Sequence, residues 1–185
     1  MGSLKKVELL VAILIIITAV FFLVATYLDW LDFGFVVGSY RANHWLVWGG
    51  ALYIAFAVPI YAVLKRRYST GLRKWLGFHV FGNLTAFVLI SIHFASQVSR
   101  PAAFYPDLGT GLAMFISMIF LVGTGFSHRF GVVKRLNPQN HRLLHVGLAL
   151  SFYLIIGIHI LHGIGFFFSF FCCFIILLEK TQTLA

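Results

Sequence analysis

Negative charge is almost missing from this chain: five Asp and Glu stand against fourteen Lys and Arg in 185 residues, and charged side chains of both signs make up only 10%. Soluble domains carry about 25% charged residues. That deficit, with 61% hydrophobic residues and a mean hydropathy of +0.95, excludes an ordinary water-soluble domain and points to a polytopic membrane chain. Cysteine is scarce as well. Cys172 and Cys173 are adjacent, where neighbours in a helix do not easily bridge and two thiols alone make a poor metal site, so their expected role is packing. The five acids, Glu8, Asp29, Asp32, Asp107 and Glu179, fall near the ends of apolar runs, which leaves no convincing general acid, nucleophile or hydrolytic metal site. Also absent are a G-x-G-x-x-G fingerprint after a strand, a low-complexity tail, a linker, and any internal repeat beyond a histidine spacing described below.

What is present is a series of long apolar runs. A helix needs about 20 apolar residues to cross the hydrocarbon core, and only helices or closed barrels satisfy their backbone groups there. The runs are continuous, which favours helices and an all-α bundle of about six spans: 7–28, 44–64, 76–97, 109–127, 142–162 and 164–180. Lys5 and Lys6 precede the first run as in a signal peptide, but its length and the lack of a small-residue cleavage site make it a retained span. The whole chain, 1–185, reads as one transmembrane domain.

Six spans put both termini on the same side as the loops "KRRYSTGLRKW" and "SHRFGVVKRLNPQNHR". That side holds Lys5, Lys6, Lys65, Arg66, Arg67, Arg73, Lys74, Arg129, Lys134, Arg135, Arg142 and Lys180, and leaves only Arg41 and Arg100 on the other. The positive-inside rule makes the rich side cytoplasmic. Net charge of +9 is thereby explained without nucleic acid, and the expected setting is a prokaryotic plasma membrane with lipid as the immediate partner.

Two apolar segments begin and end on histidine: "HVFGNLTAFVLISIH" from His79 to His93, and "HVGLALSFYLIIGIH" from His145 to His159. Fourteen residues of α-helix rise about 21 Å and turn about 1400°, some 40° short of four turns, so each pair lies on nearly one face. Spans three and five run in the same direction, which sets His79 level with His145 near the cytoplasmic side and His93 level with His159 near the other. A haem takes two axial ligands across one plane, and imidazole is a common one. Two stacked bis-histidine haems between the third and fifth helices fit this layout. The competing reading is four structural or proton-relaying histidines, although ionisable groups inside a membrane are costly and usually functional.

The other four histidines carry weaker expectations. His44 and His128 lie at span ends, while His141 and His162 sit one turn outside His145 and His159, suited to haem propionates, partners or headgroups. Gly49, Gly50, Gly82, Gly147 and Gly157 offer room for a macrocycle or a neighbouring helix. Arg73, Lys74 and Arg142 on the inner side, and Arg100 with Arg41 on the outer, suit propionates or, equally, topology and headgroup binding. Phe87 and Phe152 fall near mid-membrane, between the two levels, with packing as their plainer role.

These residues resemble the ferric-reductase-like transmembrane domain shared by ferric reductases, NADPH oxidases and the haem-binding membrane subunit of a bacterial methionine sulfoxide reductase system. The stretch "GTGFSHRFGVVKRLNPQNHRLLHVGLALSFYLIIGIH" is similar to that family's fourth-span end, basic loop and fifth span, including the "LH" that presents the first ligand. The resemblance implies six spans and makes His79, His93, His145 and His159 the haem ligands. It also implies a departure, because ferric reductases and NADPH oxidases continue into a flavin and nicotinamide domain whereas this chain stops at Ala185. Electrons are therefore expected to pass to or from a redox partner protein, a quinone pool or a larger membrane complex. Cytochrome b of the quinol:cytochrome c reductases is also similar in its fourteen-residue pairs, but its "PEWY" tetrapeptide is absent here and its ligand helices are the second and fourth.

The expected function is transmembrane electron transfer through two haem b groups, as an electron-transfer subunit of an oxidoreductase. The alternatives are a membrane anchor or assembly subunit with one haem or none, a quinol-oxidising cytochrome b subunit, and a histidine-based transporter or proton channel. A quinone site is left open.

Overall fold

The computed structural model describes residues 3–68, 71–101, 103, 109–132 and 137–163. Five helices account for most of them: α1 Ser3–Tyr27, α2 Ala42–Arg67, α3 Leu72–Val98, α4 Gly109–Phe130 and α5 Pro138–Gly163. All five are long and apolar enough to cross a membrane, which fits an integral membrane protein in contact with lipid. Eight of their ten expected boundaries are overrun by one to four residues, while α1 ends one residue early and α4 begins where expected. At 22 to 27 residues the helices are about 33–40 Å long and exceed the hydrocarbon core of about 30 Å. Hydropathy reads only the apolar middle, whereas backbone hydrogen bonding carries a helix on into the headgroup layer. The sixth expected span, 164–180, with Cys172 and Cys173, lies outside the described residues.

Local sequence sets several element ends. Asn137 caps α5 with its side-chain oxygen, accepting from the Gln139 N–H at 3.0 Å, and Pro138 follows at the first helical position, where a missing N–H costs nothing. Between α1 and α2 the chain forms a hairpin that the sequence reading did not anticipate, β1 Val36–Val37 paired antiparallel with β2 Tyr40–Arg41. Gly38 opens its two-residue turn at φ 64°, the left-handed region that this type of hairpin requires at that place. The hairpin is fastened to α2 where the Trp45 indole N–H donates to the Val37 carbonyl at 2.9 Å.

The helices alternate in direction. Glu8 near the start of α1 meets Arg73 at the start of α3 and Arg129 at the end of α4, so one end of the bundle collects most of the described basic residues. At the opposite end His44 of α2 meets His93 of α3. α3 is the hub, packing on α1 and α2 and touching α4, while α5 lies mainly on α4.

Lipid tails are as apolar as leucine, so close packing and hydrogen bonds hold these helices together more than burial does. At the α2–α3 crossing a Cβ on Gly50 would meet the Ala86 carbonyl at 3.2 Å. Nearby, the Tyr53 ring lies over Gly82 and its hydroxyl donates to the Phe78 carbonyl at 2.7 Å. Asn43 adds a bond to Ser96 at 2.7 Å. Mid-bundle, Phe115 of α4 stacks on Phe94 and Phe87 of α3, with centroids 4.1 and 6.1 Å apart. Phe152 is buried in the same cluster, and the neighbouring Tyr153 hydroxyl donates to the Ile54 carbonyl at 2.8 Å, tying α5 to α2.

Candidate functional site

The four histidines of the fourteen-residue pairs are arranged by level. His79 of α3 lies within electrostatic reach of His145 of α5 at the basic end, and His93 within reach of His159 at the opposite end. All four rings are half-buried. α3 and α5 are not closely packed backbones; α5 rests on α4 and α3 on α1 and α2, with the phenylalanine cluster between the two levels. The two rings at each level therefore come from helices that pack mainly on other helices and not on each other.

Each ring has its own surroundings. On α5, the Thr124 hydroxyl lies 3.0 Å from His145 Nδ1 and the Thr110 hydroxyl 2.9 Å from His159 Nδ1, both supplied by α4. On α3, His79 is stacked on Tyr61 of α2, with centroids 4.4 Å apart and 16° between planes. The Asn83 side-chain nitrogen stands 3.1 Å from His79 Nδ1 and donates to the His79 carbonyl at 2.5 Å. With that orientation the amide donates to Nδ1 as well and the ring proton sits on Nε2; freeing Nε2 requires the amide to turn its oxygen to the ring. His93 packs edge-on against His44, 5.5 Å between centroids, and its Nδ1 is buried with no hydrogen-bond partner. The Nε2 atoms of His79, His145 and His159 make no hydrogen bond among the described residues.

Two histidines that the sequence placed at the margin prove central to these surroundings. His44 joins His93 with its own Nδ1 buried and unpartnered. His141 is 5% exposed and neither ring nitrogen has a partner; its nearest ring is His128, 6.2 Å away. The sequence suggested peripheral roles for both, yet His44 packs against His93 of α3 and His141 lies buried near His128 of α4. His162 and His128 are exposed. Among the described residues no three metal-binding side chains converge. A haem, which carries its own equatorial nitrogens, asks the protein only for the axial pair.

The expected cations divide. Arg100 stands in the field of both His93 and His44, and Arg41 in that of His44. Arg73 is engaged with Glu8 at 3.5 Å, and Lys65 is the cation that acts on His79. Arg142 is exposed. Of the glycines, Gly82 and Gly50 are taken up by α2–α3 packing, whereas Gly49, Gly147 and Gly157 face open space. A cavity of about 670 Å³ opens at the basic end, with Tyr61, Leu72 and Leu76 as walls and Lys65, Arg73 and Arg129 around them.

α4 carries a repeat of its own that contains no titratable group. Gly109-Thr110-Gly111 and Gly123-Thr124-Gly125 repeat one tripeptide fourteen residues apart, the same step as the histidines they meet. The histidine spacing is thus not the sole internal repeat.

No protein-family model, curated protein or solved structure matches the chain. The functional case rests on these residues.

Proposed function

We propose that this chain is a membrane dihaem b-type cytochrome that conducts electrons across the bilayer, with His79 and His145 holding one haem and His93 and His159 the other. The observation that carries the reading is the matched pairing of four histidines, one pair at each end of the bundle, from two helices whose backbones stay apart. Among the described residues, three of the rings leave Nε2 free of hydrogen bonds, the nitrogen that an axial ligand uses when Nδ1 is engaged elsewhere. His79 asks in addition for the turn of Asn83 described above. When bound, the irons supply one-electron ferric/ferrous chemistry.

The chain's own residues complete the setting. Two imidazoles at each level would supply both protein ligands to a bound haem, which would favour electron relay over binding of a further ligand. Arg100 at one level and Lys65 at the other supply positive charge for propionates, and the unpartnered nitrogens of His141 suit the same anionic groups. The phenylalanines between the levels exclude water from the middle of the path. By the positive-inside rule the basic end is cytoplasmic. Electrons would be exchanged there or at the opposite face with a redox protein or a quinone, for which the cavity beside Tyr61 offers apolar walls and a cationic surround.

The test is a dithionite-reduced minus oxidised spectrum with haem quantitation on wild type, His93→Ala and His145→Ala. About two b haems per chain, with one lost in each variant, is the expected result. Folded wild type without haem overturns the reading.

A further inference from the structure

The two Gly-Thr-Gly tripeptides of α4 meet the two histidines of α5 in the same way. Thr124 reaches His145 Nδ1 at 3.0 Å and Thr110 reaches His159 Nδ1 at 2.9 Å. The glycine after each threonine lies beside the ring. A Cβ on Gly125 would stand 3.2 Å from His145 Cε1, and one on Gly111 3.7 Å from His159 Cε1. Antiparallel helices with matched fourteen-residue steps keep this register over four turns.

The proton count at Thr124 decides what the contact does. Its hydroxyl donates its one hydrogen to the Phe120 carbonyl at 2.8 Å, in the usual back-bond of a helical threonine. Toward His145 it has only lone pairs left, so Nδ1 carries the hydrogen and donates. In a neutral imidazole that places the free lone pair on Nε2. The α3 rings lack such an arrangement: the His93 Nδ1 has no partner, and the His79 Nδ1 faces an amide nitrogen.

We infer that Thr110 and Thr124 are positioning residues that hold the α5 imidazoles through Nδ1 and aim Nε2 toward the metal: Thr124, its hydrogen given to the Phe120 carbonyl, fixes His145 in the Nδ1–H tautomer and raises the donor strength of Nε2, and the matched Gly-Thr-Gly setting assigns the same role to Thr110 at His159. The inference rests on the dihaem reading above and adds to it a difference between the two helices: each haem has one axial imidazole held at Nδ1 by a threonine, from α5, and one that is not, from α3, where His93 Nδ1 has no partner and His79 Nδ1 meets Asn83. An acceptor on Nδ1–H draws the imidazole toward imidazolate character, which strengthens the Nε2 donor and favours ferric over ferrous iron. Removing the acceptor raises the midpoint potential of the haem concerned.

The experiment is a potentiometric titration of both haems in the full-length purified protein, with Thr124→Val, Thr110→Val and the corresponding Ser variants. Valine keeps the branched shape and removes the hydroxyl; serine keeps the hydroxyl. Thr124→Val is expected to raise the potential of one haem and Thr110→Val that of the other, each leaving its neighbour unchanged, while both Ser variants retain wild-type values. Selective loss of one haem in a Val variant, with retention in its Ser counterpart, supports the same assignment. Two haems with unchanged potentials in both Val variants overturn the positioning role and leave the dihaem reading standing. Wild type lacking haem overturns that reading and this one with it.

Discussion

Gly82→Ala tests whether Gly82 serves the α2–α3 crossing or makes room for a macrocycle. A Cβ built on Gly82 falls 1.8 Å from the Tyr53 hydroxyl oxygen, 2.1 Å from its Cζ and 2.7 Å from Cε1, all far inside contact distance. Tyr53 must swing away or α2 must retreat, and in either case the 2.7 Å bond to the Phe78 carbonyl is lost. The lost bond costs about 0.5–1.5 kcal/mol and the displaced ring about 1–3 kcal/mol, against about 1 kcal/mol gained from alanine's better helix propensity. The expected net loss is about 1–3 kcal/mol, read as a lower midpoint in thermal unfolding of the detergent-solubilised protein followed by tryptophan fluorescence. Tyr53→Phe does not rescue it, because ring carbons collide as well as the hydroxyl. Tyr53→Ala does, and the double-mutant cycle should show a favourable coupling of about 1 kcal/mol or more. Gly82→Ala as stable as wild type, or stabilised by helix propensity alone, would refute this packing. Loss of one haem at unchanged stability would assign Gly82 to the macrocycle instead.

Three further outcomes are expected. His44→Ala retains two haems and perturbs only the one held by His93, as seen in its spectrum; loss of that haem would make His44, not His159, the second ligand. Gly125→Ala shifts the spectrum or potential of the His145 haem, since its new methyl sits 3.2 Å from the ring, whereas Gly111→Ala at 3.7 Å is tolerated; equal effects would contradict the spacing. Glu8→Gln leaves haem content intact but lowers thermal stability by about 1–2 kcal/mol, because it strands the mostly buried Arg129 at a site partly open to solvent. An unchanged unfolding midpoint in low salt would show that the cluster of Glu8, Arg73 and Arg129 contributes nothing to holding α1, α3 and α4 together.

The helices were legible because a membrane span advertises itself by length and apolarity, and the histidine ladder because fourteen is close to four whole turns. Features that depend on contacts between helices were not. Two residues per strand give no periodicity, so the hairpin at Val36–Val37 and Tyr40–Arg41 left no pattern to read. Gly82 was open to either a macrocycle or a helix until Tyr53 was seen lying on it. Arg73 was read as a propionate partner by its side of the membrane, and its ion pair with Glu8, one of only five acids, is a contact between helices that the sequence does not show. The burial of the His44 and His141 ring nitrogens was not legible either, because it depends on which helices fold over them. The Gly-Thr-Gly repeat was present in the sequence throughout. Its significance appears only when α4 and α5 are laid antiparallel and each threonine falls opposite a histidine.

Low-temperature EPR of the oxidised wild-type protein tests the central claim most directly, because it reports axial ligation at each iron. The account predicts low-spin ferric signals of the bis-imidazole type for two haems per chain, with no high-spin species. Protein without haem, or a high-spin signal accounting for either haem, would contradict the pairing of His79 with His145 and His93 with His159.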